Sequence, residues 1–188
     1  MKICVFVTGT NAVGKTTLVK ELIRRHGGIA SATKTITTCK DSRICFAGKY
    51  EEGKKFGGVD VSNLIKCLES VVKEGLEKSD VILCEGMCLH TFGLNLTRAA
   101  FVADKQMVVY LYAPVEEIYK RLKERTGKCI RSERVQRKQR YAAAAARKWA
   151  AIGIHVLPFD TSKTSPEEIA NKIQEKIKEL CGESMTTK

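Results

Sequence analysis

The sequence predicts an α/β fold in which a parallel β-sheet is flanked by helices. Short apolar runs alternate with amphipathic stretches along the chain, which is typical of parallel strands joined by helices. The first apolar run, residues 3–7, leads directly into a glycine-rich loop and a helix-like stretch. A second run, residues 80–85, reads as a parallel strand buried on both faces and ends in a carboxylate.

The remaining elements follow from the same alternation. Five strands are predicted, at about residues 2–8, 33–39, 80–85, 107–112 and 153–157. Six helices are predicted, at about residues 15–26, 61–78, 95–102, 114–126, 131–150 and 165–180. The last helix has the clearest start, because Ser165 is a good N-cap, Pro166 suits the first helical position and two glutamates follow near the positive end of the helix dipole.

The segment of residues 39–60 departs from this rhythm. It contains four glycines, two phenylalanines and a tyrosine, and we predict a short hairpin in which residues 43–46 pair near residues 54–56. A long insertion with glycines and aromatic residues is more often a binding loop than a plain connection. We therefore expect residues 39–60 to bind a substrate, namely the acceptor if the protein transfers a phosphoryl group.

The loop after the first strand reads Gly-Thr-Asn-Ala-Val-Gly-Lys-Thr-Thr and matches the phosphate-binding P-loop pattern. Its backbone N–H groups and the following helix dipole favour an anion, so the loop predicts a bound nucleoside triphosphate, ATP or GTP. Lys15 is expected to reach the β- and γ-phosphates, and the Thr16 hydroxyl to hold Mg²⁺. The predicted nucleotide-binding residues of the loop are Gly9, Thr10, Asn11, Ala12, Val13, Gly14, Lys15, Thr16 and Thr17.

Two carboxylates are expected to act beside the loop. Glu85 follows a buried strand, so it emerges at the carboxyl edge of the sheet, where a Mg²⁺ contact or a group that orients water is needed. If a phosphoryl group is transferred to a hydroxyl, that hydroxyl also needs a group that takes its proton. We favour Asp60 for that role over Asp41, because the two glycines before Asp60 permit close approach of the backbone to a ligand.

The net charge of +12 is concentrated in one segment. Residues 120–148, called the lid below, contain twelve basic and two acidic residues. Arg121 and Arg125 lie four apart on one predicted helix, and Arg131 and Arg134, with Arg137 or Lys138, repeat every three to four residues on the next. Because phosphoryl transfer needs cations around the moving group, we predict an arginine-rich helical lid that closes over the nucleotide.

Size and composition restrict the class of protein. The length of 188 residues favours one domain, predicted over residues 1–181 with a disordered tail at 182–188. The eight cysteines lack metal-site spacing and are expected to be reduced thiols, and no signal peptide or membrane span is expected, which favours a cytoplasmic protein. Trp149 is expected to pack in the core, with stacking on a base as the alternative.

These features together resemble the P-loop kinases of the nucleoside and nucleotide monophosphate kinase type. The resemblance implies a three-layer P-loop NTPase fold with a five-stranded parallel sheet. It also implies that Asp160, Thr161 and Ser162 lie beside the adenine ring, and that the pair Glu85-Gly86 closes its strand as in uridine-kinase-like members. The acceptor-binding signatures of adenylate and thymidylate kinases do not occur in the chain, and neither do the guanine-recognition and switch strings of GTPases.

Within that group the chain is most similar to the bacteriophage 5-hydroxymethyluracil DNA kinases, on Gly48-Lys49-Tyr50, Gly57-Gly58-Val59-Asp60 and the basic lid. This resemblance implies phosphorylation of a hydroxymethyl group in DNA, with DNA as the partner of the basic segment and the host cytoplasm as the location. Stacking on an extruded base is then expected from aromatic residues, with Phe46, Tyr50, Phe56 and Phe92 as candidates. A kinase for a free nucleoside, nucleotide or other small molecule is the alternative.

Overall fold

One mixed sheet of seven strands, counted over the described residues, forms the centre of the molecule. The computed structural model describes residues 1–54, 57–61, 63–90, 93–127 and 131–182. The strands are β1 (Ile3–Thr8), β2 (Ile29–Ala32), β3 (Ile36–Cys39), β4 (Ile44–Ala47), β5 (Val81–Glu85), β6 (Lys105–Tyr112) and β7 (His155–Asp160). The helices are α1 (Lys15–Arg25), α2 (Gly58–Val61), α3 (Leu68–Lys78), α4 (Leu94–Ala100), α5 (Val115–Thr126), α6 (Ser132–Ala151) and α7 (Pro166–Leu180).

The strand order is β2-β3-β4-β5-β1-β6-β7, and the last five of these strands are mutually parallel. The α/β class with a largely parallel sheet is therefore confirmed. The prediction of which five strands are parallel is wrong in one place: the strand predicted at 33–39 is β3, which runs antiparallel to both β2 and β4. The fifth parallel strand is β4, from the segment predicted to be a binding insertion.

The predicted hairpin between residues 43–46 and 54–56 is also wrong. Both edges of β4 are already paired, with β3 on one side and β5 on the other, so no edge is free for residues 54–56. Residues 55 and 56 themselves lie outside the described residues. The predicted helix at 61–78 is interrupted: Asn63 adopts a left-handed backbone conformation, and the regular helix α3 begins only at Leu68.

The two faces of the sheet carry separate hydrophobic layers, because successive strand residues point to opposite faces. In β1, Ile3, Val5 and Val7 face the layer that contains α1, α5 and α7. Cys4 and Phe6 face the layer that contains α3, α4 and the end of α6. The helices thus cover both faces, and all loops that follow parallel strands meet at one edge.

Helix α6 contributes to the core mainly with its second half, and Val135 near its start is buried as well. Ala142, Ala145, Ala146 and Trp149 are buried, and Trp149 stacks on Phe6 with ring centroids 5.7 Å apart. The prediction that Trp149 packs in the core is confirmed, and a base-stacking role is excluded by its burial. Because Val135, Ala142 and Trp149 of α6 are buried, the predicted lid packs in part on the core, and its closure over the nucleotide stays a prediction.

The cysteines of the described chain are free thiols. Cys4, Cys39, Cys45 and Cys84 are buried in the core, whereas Cys67 and Cys181 are exposed. Cys129 and the predicted tail from residue 183 onward lie outside the described residues. No helix in the described part of the chain combines the length and the apolar composition that crossing a membrane requires.

Glu21 provides a test of the ion pairs within α1. Its carboxylate accepts hydrogen bonds from Arg24 and Arg25, which lower the pKa of Glu21 from 4.5 to about 2. Because the pKa of Glu21 is lower in the folded than in the unfolded protein, its ion pairs stabilise the folded state at pH values above the unfolded-state pKa of about 4.5. This contribution is lost as the pH falls from about 4.5 to about 2. We expect Glu21→Gln to lower the free energy of unfolding at pH 7 by about 1 kcal/mol.

The measurement is urea unfolding of both proteins at pH 7 and at the lowest pH at which each still folds. The difference between wild type and Glu21→Gln should shrink as the solution is acidified. A difference that stays constant with pH would show that the ion pairs of Glu21 do not carry its contribution.

Candidate functional site

The loop between β1 and α1 wraps around the amine of Lys15. Lys15 Nζ donates hydrogen bonds to the backbone oxygens of Gly9 (3.1 Å) and Thr10 (2.9 Å). Gly9 cannot carry a side chain here, because a Cβ would lie 2.3 Å from the Leu111 carbonyl oxygen and φ is +148°. The loop therefore has the shape that places its N–H groups and one buried cation around an anion.

Glu85 lies directly beside this loop. In the β1–β5 register Val7 is the partner of Glu85, so β1 and β5 end side by side. Each carboxylate oxygen of Glu85 lies 3.4 Å from the Thr16 hydroxyl, and the residue is only 4% exposed. The predicted position of Glu85, at the edge of the sheet beside the phosphate loop, is confirmed. Its role in holding Mg²⁺ or orienting water remains a prediction.

Asp60 faces the same site from α2. Its carboxylate accepts hydrogen bonds from the backbone N–H groups of Met87 and Cys88, which follow β5. On the opposite side Lys138 from α6 places its amine 3.3 Å from the Met87 sulfur. Burial and the neighbouring Arg134 and Arg137 lower the pKa of Lys138, while Asp60 raises it. The Asp60 carboxylate is thus held next to β5, with a cationic helix across from it.

Asp41 lies elsewhere. Its carboxylate is 2.9 Å from His26 Nδ1, at the C-terminal end of α1, and accepts two hydrogen bonds from Arg43. The side-chain hydrogen bond from Arg43, more than that from His26, holds the pKa of Asp41 far below its usual range. Because α1 begins at the loop and ends at His26, Asp41 is separated from the site by the length of this helix.

The four predicted arginines divide into two pairs. Arg121 and Arg125 on α5 line the same cavity as the loop. Arg121 also donates to the Ala12 carbonyl oxygen at 3.5 Å. Arg131 and Arg134, at the start of α6, are exposed and are not among the residues that line this cavity. Among the described residues, the predicted cations that line the cavity are therefore Lys15, Arg121 and Arg125, and Lys138 reaches the cavity residue Met87.

Residues 160–162 form a polar turn after β7. Asp160 accepts hydrogen bonds from the backbone N–H and the hydroxyl of Ser162, which lower the pKa of Asp160. Thr161 is the member of the turn that lines the cavity, and Arg121 donates to its hydroxyl (3.0 Å) and its carbonyl oxygen (2.8 Å). The turn is thus joined to α5 at the end of the cavity away from Asp60.

A single cavity of about 640 Å³ connects these groups. It runs from Thr161, Thr164, Pro166 and Ile169 past the loop to Glu85, Asp60 and Met87. The volume is in the range of sites that enclose a small molecule. Seven of its lining residues were not predicted as site residues, and no local pattern in the sequence marks them as such: Leu18, Gly57, Met87, Leu111, Thr164, Pro166 and Ile169.

The two proposed base-stacking aromatics that lie within the described residues, Phe46 and Tyr50, do not line the cavity. Phe46 is fully buried in the core, and Tyr50, 2% exposed, packs edge-on against it, so stacking by either residue is excluded. Tyr50 instead donates a hydrogen bond to Glu85 Oε2 at 3.0 Å. Phe56 and Phe92 lie outside the described residues.

Burial disfavours the charged forms of Lys15 and Glu85, and each charge partly stabilises the other. Burial lowers the pKa of Lys15, although Glu85 and Asp60 raise it in part. Burial also raises the pKa of Glu85, although Lys15 and the Tyr50 hydroxyl lower it in part. A buried carboxylate and amine that partly compensate each other are typical of a functional site.

The oxygen atoms around Thr16 suit a hard cation. Mg²⁺ in proteins prefers carboxylate and hydroxyl oxygens and keeps several waters, so it is held by one or two carboxylates together with substrate phosphates. The Thr16 hydroxyl and the Glu85 carboxylate supply such donors beside the phosphate loop. These two residues would hold the ion, and its chemistry would be to neutralise charge on the phosphates.

The chain aligns over most of its length with several solved structures of similar fold. It aligns with the YorR protein of Bacillus subtilis in complex with phosphorylated GDP (18% identity, 93% of this chain and 95% of that chain, TM-score 0.58). It aligns with deoxyadenosine kinase from M. mycoides with bound dCTP (13% identity, 95% and 100%, TM-score 0.51). It also aligns with the tunicamycin resistance protein of Deinococcus radiodurans (10% identity, 94% and 96%, TM-score 0.54).

At these identities the likeness concerns the fold. The matched structures confirm an α/β P-loop fold of the kinase type for this chain. No curated protein sequence matched significantly. The family model described as AAA domain matches residues 5–142, which cover the phosphate loop, Glu85 and the start of α6. The chain therefore belongs to the AAA domain family of P-loop proteins.

Proposed function

We propose that the protein is an ATP- or GTP-dependent kinase that transfers the γ-phosphate to a small-molecule acceptor, most plainly a nucleoside or nucleotide. The observation that carries this proposal is one cavity shared by the phosphate loop, two carboxylates and two arginines. Lys15 and the arginines would stabilise charge on the transferred group, Glu85 with Thr16 would hold Mg²⁺, and Asp60 would accept the proton of the acceptor.

The two ends of the cavity indicate the two substrates. The triphosphate would lie in the phosphate loop, and the end formed by Thr161, Thr164 and Pro166 would receive the base of the donor. The end formed by Asp60 and Met87 would receive the acceptor. The proposal that both substrates are nucleosides or nucleotides is supported by the matched folds, which include a deoxyadenosine kinase and a protein in complex with phosphorylated GDP.

The size of the cavity favours a free acceptor over a base within DNA. About 640 Å³ is enough for small molecules, whereas a base in a duplex would have to be extruded first. With Phe46 and Tyr50 buried, the described residues also lack the proposed stacking platform. The similarity to 5-hydroxymethyluracil DNA kinases finds no support among the comparisons.

DNA remains the second candidate on one observation. Arg131, just before α6, and Arg134, Arg137 and Arg140 on its first half are exposed, and Lys138 of the same stretch reaches Met87 at the acceptor end of the cavity. Exposed arginines at that density provide the sequence-independent attraction for a phosphate backbone. A DNA acceptor would use them, whereas a small acceptor would not.

The experiment offers γ-labelled ATP, γ-labelled GTP and Mg²⁺ to the protein with two sets of acceptors. One set contains free nucleosides and nucleoside monophosphates, and the other contains DNA with and without 5-hydroxymethyluracil. Label in free nucleosides or nucleotides supports the proposed function. Label only in DNA with 5-hydroxymethyluracil would show that the acceptor is DNA and not a small molecule. No label in any acceptor would contradict the kinase proposal.

Replacement of the proposed base tests the acceptor end. We expect Asp60→Asn to lower turnover about 100-fold with little change in nucleotide affinity, because the amide keeps the size of the side chain but cannot accept the proton. Asp41→Asn is the matched control and should leave turnover unchanged, since Asp41 binds His26 and Arg43 far from the cavity. Steady-state kinetics of both variants would measure this, and equal loss in both would rule out the assignment of Asp60.

A further inference from the structure

The hydroxyl of Tyr50 is directed at the carboxylate of Glu85. Tyr50 Oη donates to Glu85 Oε2 over 3.0 Å, and both residues are almost completely buried. The same carboxylate lies 3.4 Å from the Thr16 hydroxyl. The Glu85 carboxylate therefore lies between two hydroxyls. One belongs to the buried Tyr50, and the other belongs to Thr16, which follows Lys15 of the phosphate loop.

The backbone and the ring of Tyr50 are also held by contacts with neighbouring strands. Its backbone N–H donates to the Thr37 hydroxyl (2.9 Å), which in turn donates to the Gly48 carbonyl oxygen (2.8 Å). Its ring packs edge-on against Phe46, with ring centroids 6.1 Å apart. The contacts connect Tyr50 to β3 and β4, so the antiparallel part of the sheet sets the position of the phenol.

Space around the phenol and the carboxylate is reserved by Gly58. Its φ is +88°, and a Cβ there would lie 2.6 Å from Glu85 Oε2 and 2.9 Å from Tyr50 Oη. Any other residue would therefore collide with both partners of the hydrogen bond. The segments Gly48-Lys49-Tyr50 and Gly57-Gly58-Val59-Asp60 thus converge on Glu85, although they are apart in the chain.

We propose that Tyr50 is a positioning residue, which orients the Glu85 carboxylate toward Thr16 and thereby supports binding of a divalent cation together with the nucleotide. This proposal rests on the proposed function of the site but concerns a different residue and a different step. Groups that hydrogen-bond to a metal-binding carboxylate fix its direction, and their loss costs about 10- to 100-fold in metal affinity or activity. Tyr50 does not touch the reacting atoms and acts through Glu85.

The test compares wild type with Tyr50→Phe, which keeps the ring and its contact with Phe46 but removes the hydroxyl. Binding of ADP is measured by calorimetry without metal and at increasing Mg²⁺. We expect unchanged affinity for ADP alone and an approximately tenfold higher Mg²⁺ concentration for half-maximal enhancement of binding. Tyr110→Phe, a half-buried tyrosine of β6 outside the site, is the matched control and should behave as wild type.

A double variant distinguishes positioning from a merely structural role. If Tyr50 acts through Glu85, Tyr50→Phe combined with Glu85→Gln should require no more Mg²⁺ than Glu85→Gln alone. A Tyr50→Phe protein that melts at a lower temperature but keeps the wild-type Mg²⁺ dependence would overturn the proposal. Because the readout is ADP binding, this outcome is separate from a failure of wild type to transfer phosphate to any acceptor.

Discussion

Replacement of Lys15 by alanine is expected to lower phosphoryl transfer about 1000-fold, to the limit of detection. Lys15 is the buried cation of the phosphate loop, 8% exposed, and it lies between the loop carbonyl oxygens and the carboxylates Glu85 and Asp60. Its removal takes a preorganised positive charge from the position where negative charge develops during transfer. Circular dichroism and thermal melting should show that the variant still folds.

The control for Lys15→Ala is Lys20→Ala on the same helix. Lys20 is exposed and donates only to the backbone oxygen of Lys54 among the contacts described. It should retain wild-type turnover, measured with the same labelled nucleotide and the best acceptor of the panel. Turnover of Lys15→Ala equal to that of Lys20→Ala would contradict the assignment of the phosphate loop.

Glu85→Gln should have the second-largest effect, a loss of turnover of about 100-fold together with a higher Mg²⁺ requirement. Glutamine keeps the shape of the side chain and an oxygen that can accept the hydrogen bond from Tyr50. It lacks the negative charge that a divalent cation needs beside the Thr16 hydroxyl. Binding of nucleotide without metal should change little, because the phosphate loop itself is unaltered.

Measurement of turnover and of ADP binding at several Mg²⁺ concentrations checks this expectation. Glu77→Gln, an exposed residue of α3, is the matched control for the chemical change. If Glu85→Gln keeps the Mg²⁺ dependence of wild type, Glu85 does not hold the ion. A loss of nucleotide affinity without metal would indicate instead that Glu85 supports the shape of the loop.

Local motifs were predicted well because each is contained in a few neighbouring residues. The phosphate loop is specified by its glycines and Lys15 within one turn of chain, and α7 begins where the sequence indicates, with a capping box between Ser165 and Glu168. The end of β5 at Glu85 follows from a continuous apolar run. In these cases the signal and the structure share the same short segment.

The segment of residues 39–60 was predicted less well, because its structure depends on distant strands. Residues 44–47 are uniformly buried, which is compatible with a hairpin as much as with a central strand, and only pairing with β5 and β3 decides between them. The same part of the sheet holds Tyr50 in the interior, where its hydroxyl donates to Glu85 and its ring does not line the cavity. An aromatic residue in a glycine-rich stretch does not carry that information.

The sequence by itself thus determined the α/β class, the nucleotide loop and the presence of carboxylates and arginines suited to phosphoryl transfer. The sequence also favoured Asp60 over Asp41, and the structure places Asp60 at the cavity. Only the tertiary structure decided that Arg121 and Arg125 line the cavity while Arg131 and Arg134 do not, and that Tyr50 binds Glu85. The physical reason is that a phosphate loop is built by consecutive backbone groups. A carboxylate acquires its role from partners that the sheet brings together across tens of residues.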